Sequence, residues 1–393
     1  MRTFSTAERR ARLARRHFLA GQPAATVAQA TSQLVGLHAT DPATPYLTLW
    51  ARVPGFTIAD LDAELYEHRT VVKHLAMRRS LWVVCGTDLT AIQSAASDRV
   101  AANERRRLIA DVQKAGLAPD GATWVDAACA AVLAHLRRNG PASASELRSA
   151  LPELAGRYDP APGRRWGGET PLAPRVLTVL AVRGDIVRGP NDGGWTASRP
   201  LWSDRAHWLG ATHPTPAPAA DRASAALLRR WLYTFGPATL TDVKWWFGQT
   251  VTWARTGLRD VGAVEVDLND GKGDGTGYVL PDDLDPEPDV GPWAALLPGL
   301  DVTPMGWSDR TWYLGAHRGH VFDTNGNAGP TAWCNGRVVG SWSQDADGRV
   351  VLRPAEALRR DDLRALTVCA AELTDWLGGV RISPRFPSPL SRL

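Results

Sequence analysis

Cysteine and lysine are both scarce in this chain of 393 residues. Only Cys85, Cys129, Cys334 and Cys369 occur, with no CxxC and no His/Cys ligand spacing. That pattern excludes a zinc finger and a disulfide framework and leaves the four as small core residues. Lysine stands only at Lys73, Lys114, Lys244 and Lys272, so nearly all of the 45 basic side chains are arginine. Arginine suits phosphate contact, and a GC-rich coding sequence produces the same bias; both readings stand. No apolar run reaches the ~18 residues of a membrane span. The N-terminal MRTFSTAERRARLARRHFLAG lacks an apolar h-region and carries Glu8, so it reads as a basic helix and not a signal peptide, and a cytoplasmic protein is expected. There is no GxGxxG, no P-loop and no metal-ligand set, so no cofactor and no metal are expected.

What is present is arginine, tryptophan and a recurring order of elements. At roughly 150 residues per domain the length allows two or three units. Residues 1–200 carry 26 Lys+Arg against 18 Asp+Glu, whereas residues 201–393 carry 19 against 23. The first half is therefore the basic half, expected to supply most of any positively charged binding surface, whose affinity for a polyanion falls with salt. The 17 tryptophans cluster late, in Trp245-Trp246 and in GWSDRTWYLG, and read as core filler or as stacking surface.

Three segments repeat one grammar of helix, helix, helix and strand pair. The clearest begins with ATWVDAACAAVLAHLRRNG, ended by Gly140, and continues with ASASELRSAL behind a Ser143 or Ser145 cap. LAPRVLTVLAVRG follows, then a hairpin with its turn at Asn191-Asp192-Gly193-Gly194. A second copy runs from ADRASAALLRRWLYTFG through TLTDVKWWFG, capped by Thr239 or Thr241, to a hairpin with a glycine-rich tip at Asn269 to Gly277. The Pro-rich stretch Thr212 to Pro218 separates the two. Another copy is embedded in residues 1–100, and strand signals followed by a helix from about Pro354 to Leu377 close the chain. This predicts an α+β fold of tandem winged helices with a C-terminal β-rich unit: residues 1–120, 121–211, 219–282 and 290–393.

Four blocks, GLHATDPATPYLTLWAR, LAMRRSLWVV, YTFGPATLTDVKWWFG and LLPGLDVTPMGWSDR…NGRVVGSW, resemble in order the AlkZ/YcaQ-type family of winged-helix proteins, which includes bacterial DNA glycosylases. The resemblance implies a C-shaped arrangement gripping double-stranded DNA and hydrolysis of the N-glycosidic bond of alkylated or bulky bases. It also implies a catalytic Gln-Φ-Gln or Gln-Φ-Asp motif, at whose two functional positions this chain has His38 and Thr40. In LAMRRSLWVV, Ser80 and Trp82 stand where the family pattern has Thr and His.

A neutral His38 can take a proton from a held water, with Thr40 orienting it; such a base loses activity as pH falls through an unperturbed histidine value near 6.5. The structural reading of the same trio makes Asp41 the cap of a helix starting at Pro42, with Thr40 and His38 as polar residues beside it. Arg78, Arg79, Trp82, Arg310 and Trp307 are the candidate DNA contacts, Arg78 or Trp82 lining the cleft with His38. Trp307 and Arg310 also read as β-core packing beside a surface arginine, and Arg105-Arg106-Arg107 as a solvated face. Function accordingly stands between a monomeric DNA glycosylase and a non-catalytic winged-helix DNA-binding protein, regulatory or architectural.

Overall fold

Helix, helix, helix and hairpin follow one another from Gly121 to Asp204 in the computed structural model, which describes residues 1–161, 163–164, 167–210, 220–269 and 275–392. The helix Gly121–Asn139 is followed by Ala144–Ala150, whose start is a capping box: Ser143 accepts from the Glu146 N–H and Glu146 accepts from the Ser143 N–H. Ala173–Arg183 ends at Gly184 in the left-handed region. The strands Ile186–Asn191 and Pro200–Asp204 then pair antiparallel. Their connection runs to residue 199 instead of closing in the four residues expected, because Trp195 packs on Tyr46 and Trp376 and draws the loop out.

The next repeat has the helices Ala220–Phe235, Leu240–Phe247 and Val251–Asp260, the last two capped by Thr239 and Thr250, before the antiparallel strands Val264–Asn269 and Gly275–Val279. The Thr212 to Pro218 stretch and the wing tip with Asp270 and Asp274 lie outside the described residues. A third strand, Thr3–Ser5, joins that hairpin in parallel, with Phe4 buried on Val266, Leu268 and Val279. The basic helix Thr6–Arg16 thereby docks beside Ala220–Phe235. Its Arg12 and Arg16 pair with Asp283, and Arg15 and Arg16 with Glu287. Much of the basic excess expected to face DNA is consequently spent inside the protein.

The C-terminal part is a four-stranded antiparallel sheet of Ala294–Leu297, Thr331–Cys334, Arg337–Gln344 and Val350–Pro354, covered by the helix Arg360–Leu377 through Leu366, Ala370, Leu373 and Leu377. Tryptophan proves to be mainly core: Trp82, Trp231, Trp246, Trp333 and Trp342 are fully buried. Ring contacts run unbroken from Trp82 through Trp246 and Trp231 to Phe235 and Trp307, the edge-on and offset packing that aromatic quadrupoles favour.

The residues of interest sit on a small antiparallel sheet ordered Leu37–His38, Leu81–Cys85, Val71–Leu75. In its register His38 lies opposite Trp82 and Trp82 opposite His74, so the three side chains share one face.

Candidate functional site

His38 is fixed by that pairing. Its ring centroid lies 5.0 Å from that of Trp82, only 4 % of the residue is exposed, and Nδ1 accepts a 3.4 Å hydrogen bond from the Thr40 N–H. Burial, and secondarily the charge of Arg78, push the imidazole down to about 3. It is neutral throughout the physiological range, and with Nδ1 an acceptor its proton belongs on Nε2. The expected titration near 6.5 is corrected accordingly: the ring is desolvated and beside a cation. Thr40 is half-buried, and its Oγ accepts from the Leu81 N–H at 3.2 Å, which leaves the hydroxyl proton and a lone pair free for another partner.

Asp41 is structural. Oδ1 accepts from the Ala43 N–H at 3.1 Å and Oδ2 from the Arg385 N–H at 2.8 Å. Burial pushes the carboxyl up, and those two donors oppose the shift. The helix begins at Thr44 and not at Pro42, with Pro45 in its first turn, so Asp41 closes the turn that leads in. Asp41→Ala is expected to lower stability by about 1 kcal/mol, read as a shift in urea midpoint at unchanged slope; an unchanged midpoint would refute the assignment.

Between the strands Val71–Leu75 and Leu81–Cys85 the chain turns through Arg78 and Arg79, both left-handed at φ 54° and 63°. Two consecutive non-glycine residues there are strained, and Gly248 helps to hold them. A Cβ on Gly248 would lie 3.3 Å from the Arg78 backbone nitrogen, and Gly248 itself has φ 64° as the C-cap of Leu240–Phe247. The Arg78 guanidinium consequently stacks 3.9 Å above the Trp245 ring. Arg79 points elsewhere, to a 3.0 Å ion pair with Glu104.

Arg310 joins Arg78 at the same indole, 4.9 Å from its centroid, and also lies 4.4 Å from the Phe322 ring. It is not the surface arginine that the core-packing reading had beside Trp307: 5 % of it is exposed. Trp82 and Trp307 are not stacking surfaces. Trp307 is 2 % exposed and donates from Nε1 to the Phe235 carbonyl, while Trp82 donates to Ser80 Oγ; neither ring face is open to a nucleobase. Of the Arg105–Arg107 run, Arg105 pairs with Asp126 and Arg107 with Glu104. The structure thus gathers His38, Thr40, Trp82 and Arg78 at one end of the small sheet, with Arg310 behind Trp245. Trp245 was legible only as half of a Trp-Trp pair, and nothing local marked it as the platform for two arginines. Among the described residues no group of three His, Cys, Asp or Glu could hold a metal ion, and no helix is long and apolar enough to cross a membrane.

The profile of the family described as "DNA glycosylase AlkZ-like" matches residues 31–376. An interstrand DNA cross-link repair glycosylase of Streptomyces sahachiroi is 28% identical over 221 residues, which is 53% of this chain and 56% of that protein. The match thus spans about half the length of that curated relative. The solved structure of the Streptomyces sahachiroi DNA glycosylase AlkZ superposes with a TM-score of 0.74 at 21% identity, covering 98% of this chain and 100% of that one; this likeness is one of fold. With a profile running from the helix before His38 to the last turn of the closing helix, the chain belongs to the AlkZ-like DNA glycosylase family.

Proposed function

We propose that the protein is a DNA glycosylase that acts as a cytoplasmic monomer on double-stranded DNA, hydrolysing the N-glycosidic bond of alkylated or bulky-adduct bases. The observation that carries this reading is the convergence of His38 and Thr40, two residues apart at the end of one strand. They stand where the resemblance puts the family's catalytic pair.

A cationic N7-alkylpurine leaves with the electron pair of the broken C1′–N bond and departs neutral, so little acid is needed. The demand falls on placing water at C1′ of an oxocarbenium-like sugar and taking up its proton. Thr40 Oγ has a lone pair to accept one water hydrogen, and His38 Nε2–H can donate to the water oxygen. For His38 to accept the proton on Nε2, the proton already there must first move to Nδ1 through a water, and the hydrogen bond from the Thr40 N–H to Nδ1 is given up. At 3.4 Å that bond is weak, so the exchange costs about 1 kcal/mol. Until that transfer the imidazole is neutral and adds no cation next to the developing charge; the imidazolium forms only as water bonds to C1′ and the sugar loses its own charge.

The test is chromatographic detection of free base after incubation with a duplex carrying one N7-alkylated guanine. The expected result is release by the wild-type protein and loss of release in His38→Ala with duplex affinity retained. Salt-dependent binding with no release from any alkylated duplex would favour the non-catalytic DNA-binding protein instead.

A further inference from the structure

Arg310, buried, and Arg78, half-buried, lack the carboxylate partner that such cations ordinarily have. Among the described residues neither forms an ion pair with a carboxylate; the neutral Tyr313 hydroxyl hydrogen-bonds Arg310, but Arg78 Nε, Arg310 Nε and Arg310 Nη2 are buried without any acceptor. Asp242 is near enough for its charge to act on Arg310, but its oxygens are committed: Oδ2 accepts from the Thr239 N–H and hydroxyl, and Oδ1 from the Ser308 and Asp309 N–H groups. The two guanidiniums oppose each other electrostatically, and Arg318, exposed and 6.0 Å from the Phe322 ring, extends the positive row toward solvent. Leaving a buried charge uncompensated is costly, and here the strained Arg78 backbone adds to that cost.

A guanidinium carried over an indole ring still has N–H groups to offer, the fork that grips phosphate oxygens. We infer that Arg78 and Arg310, carried on the two contacts with Trp245, form a binding site for a single phosphodiester group of the DNA strand beside His38. The choice of DNA as the source of that phosphate rests on the reading proposed above. The site also eases a conflict within that reading, because an uncompensated Arg78 next to His38 would oppose an oxocarbenium ion, whereas a phosphate held there offsets one of the two positive charges.

The experiment places one uncharged methylphosphonate at a time along the lesion strand of an alkylated duplex and measures affinity for the wild-type, Arg78→Met and Arg310→Met chains. One linkage beside the lesion is expected to lower wild-type affinity by roughly 10- to 100-fold, and to cost clearly less in either variant, the coupling of a double-mutant cycle. Should both Met variants fail to fold, Arg310→Lys, which keeps the charge and loses the fork, is expected to reduce the cost at that same linkage. The absence of any linkage whose cost depends on Arg78 or Arg310 overturns the proposal. If the chain binds no duplex, saturable quenching of tryptophan fluorescence by inorganic phosphate, lost in Arg78→Met, would overturn the DNA source in favour of free phosphate; no quenching would overturn the site itself. Coupled binding without base release refutes only the excision chemistry.

Discussion

His38→Ala is expected to reduce base release by at least roughly 100-fold, and the wild-type rate should show no histidine titration between about pH 5 and 8. An exposed imidazole would lose its acceptor as pH fell through 6.5. Here burial and Arg78 hold the ring down to about 3, so its neutral form persists across that window. Thr40→Ala should be less damaging, since removing the hydroxyl takes away one contact to the water and spares the imidazole. A limb in log rate with its midpoint near 6.5 would contradict the assignment.

The same shift sets a stability floor. His17, His38 and His74 are all buried and all held below their ordinary values, His17 well below and His74 at about 4. The unfolded chain therefore binds more protons than the folded one below 6.5. Stability is fully present above that value and is lost as pH falls, by about 1 kcal/mol per pH unit for each imidazole until its folded value is reached. The rate profile is to be read only where a parallel unfolding measurement shows the fold intact.

Asp301→Ala or Arg52→Met should cost about 3–5 kcal/mol, a large share of the roughly 5–15 kcal/mol that holds a typical domain together. Both side chains are 0 % exposed, and Arg52 Nη2 and Nη1 meet Asp301 Oδ1 and Oδ2 at 2.8 and 3.0 Å. The other three guanidinium hydrogens go to the His17 carbonyl, the Thr48 carbonyl and Thr303 Oγ. Asp301 also accepts from the Thr48 hydroxyl and the Thr303 N–H. Removal of either partner strands a desolvated charge and loosens three segments at once: the end of Thr6–Arg16, the helix Thr44–Trp50 and the loop after Leu300. Urea unfolding measures it, and a change below about 1 kcal/mol would show the pair to be dispensable.

The features that were legible in the sequence are the locally determined ones. The starts of two helices were legible to within two residues, as Ser143 or Ser145 and Thr239 or Thr241, of which Ser143 and Thr239 prove to be the caps, and Gly184 announced an end because left-handed backbone favours glycine there. Asp41, read as the cap of a helix starting at Pro42, does accept a backbone N–H there, from Ala43, but the helix begins two residues later at Thr44. The parallel pairing of Thr3–Ser5 with Val264–Asn269, the Arg52–Asp301 pair and the contact of Gly248 with Arg78 join residues more than a hundred positions apart, and no periodicity encodes them. The ionisation of His38 was illegible for a related reason. It follows from cross-strand burial against Trp82 and from the left-handed backbone that turns Arg78 toward it, neither of which a residue type reveals.

The most direct measurement of the central claim is a single-turnover assay with protein in excess over a duplex holding one N7-alkylated guanine, comparing wild-type and His38→Ala at equal DNA occupancy. Free base released by the wild-type protein, and released roughly 100-fold more slowly by His38→Ala, is the result that the geometry of His38 and Thr40 predicts. Equal rates in the two proteins, or no release by the wild-type protein at full occupancy, would contradict it.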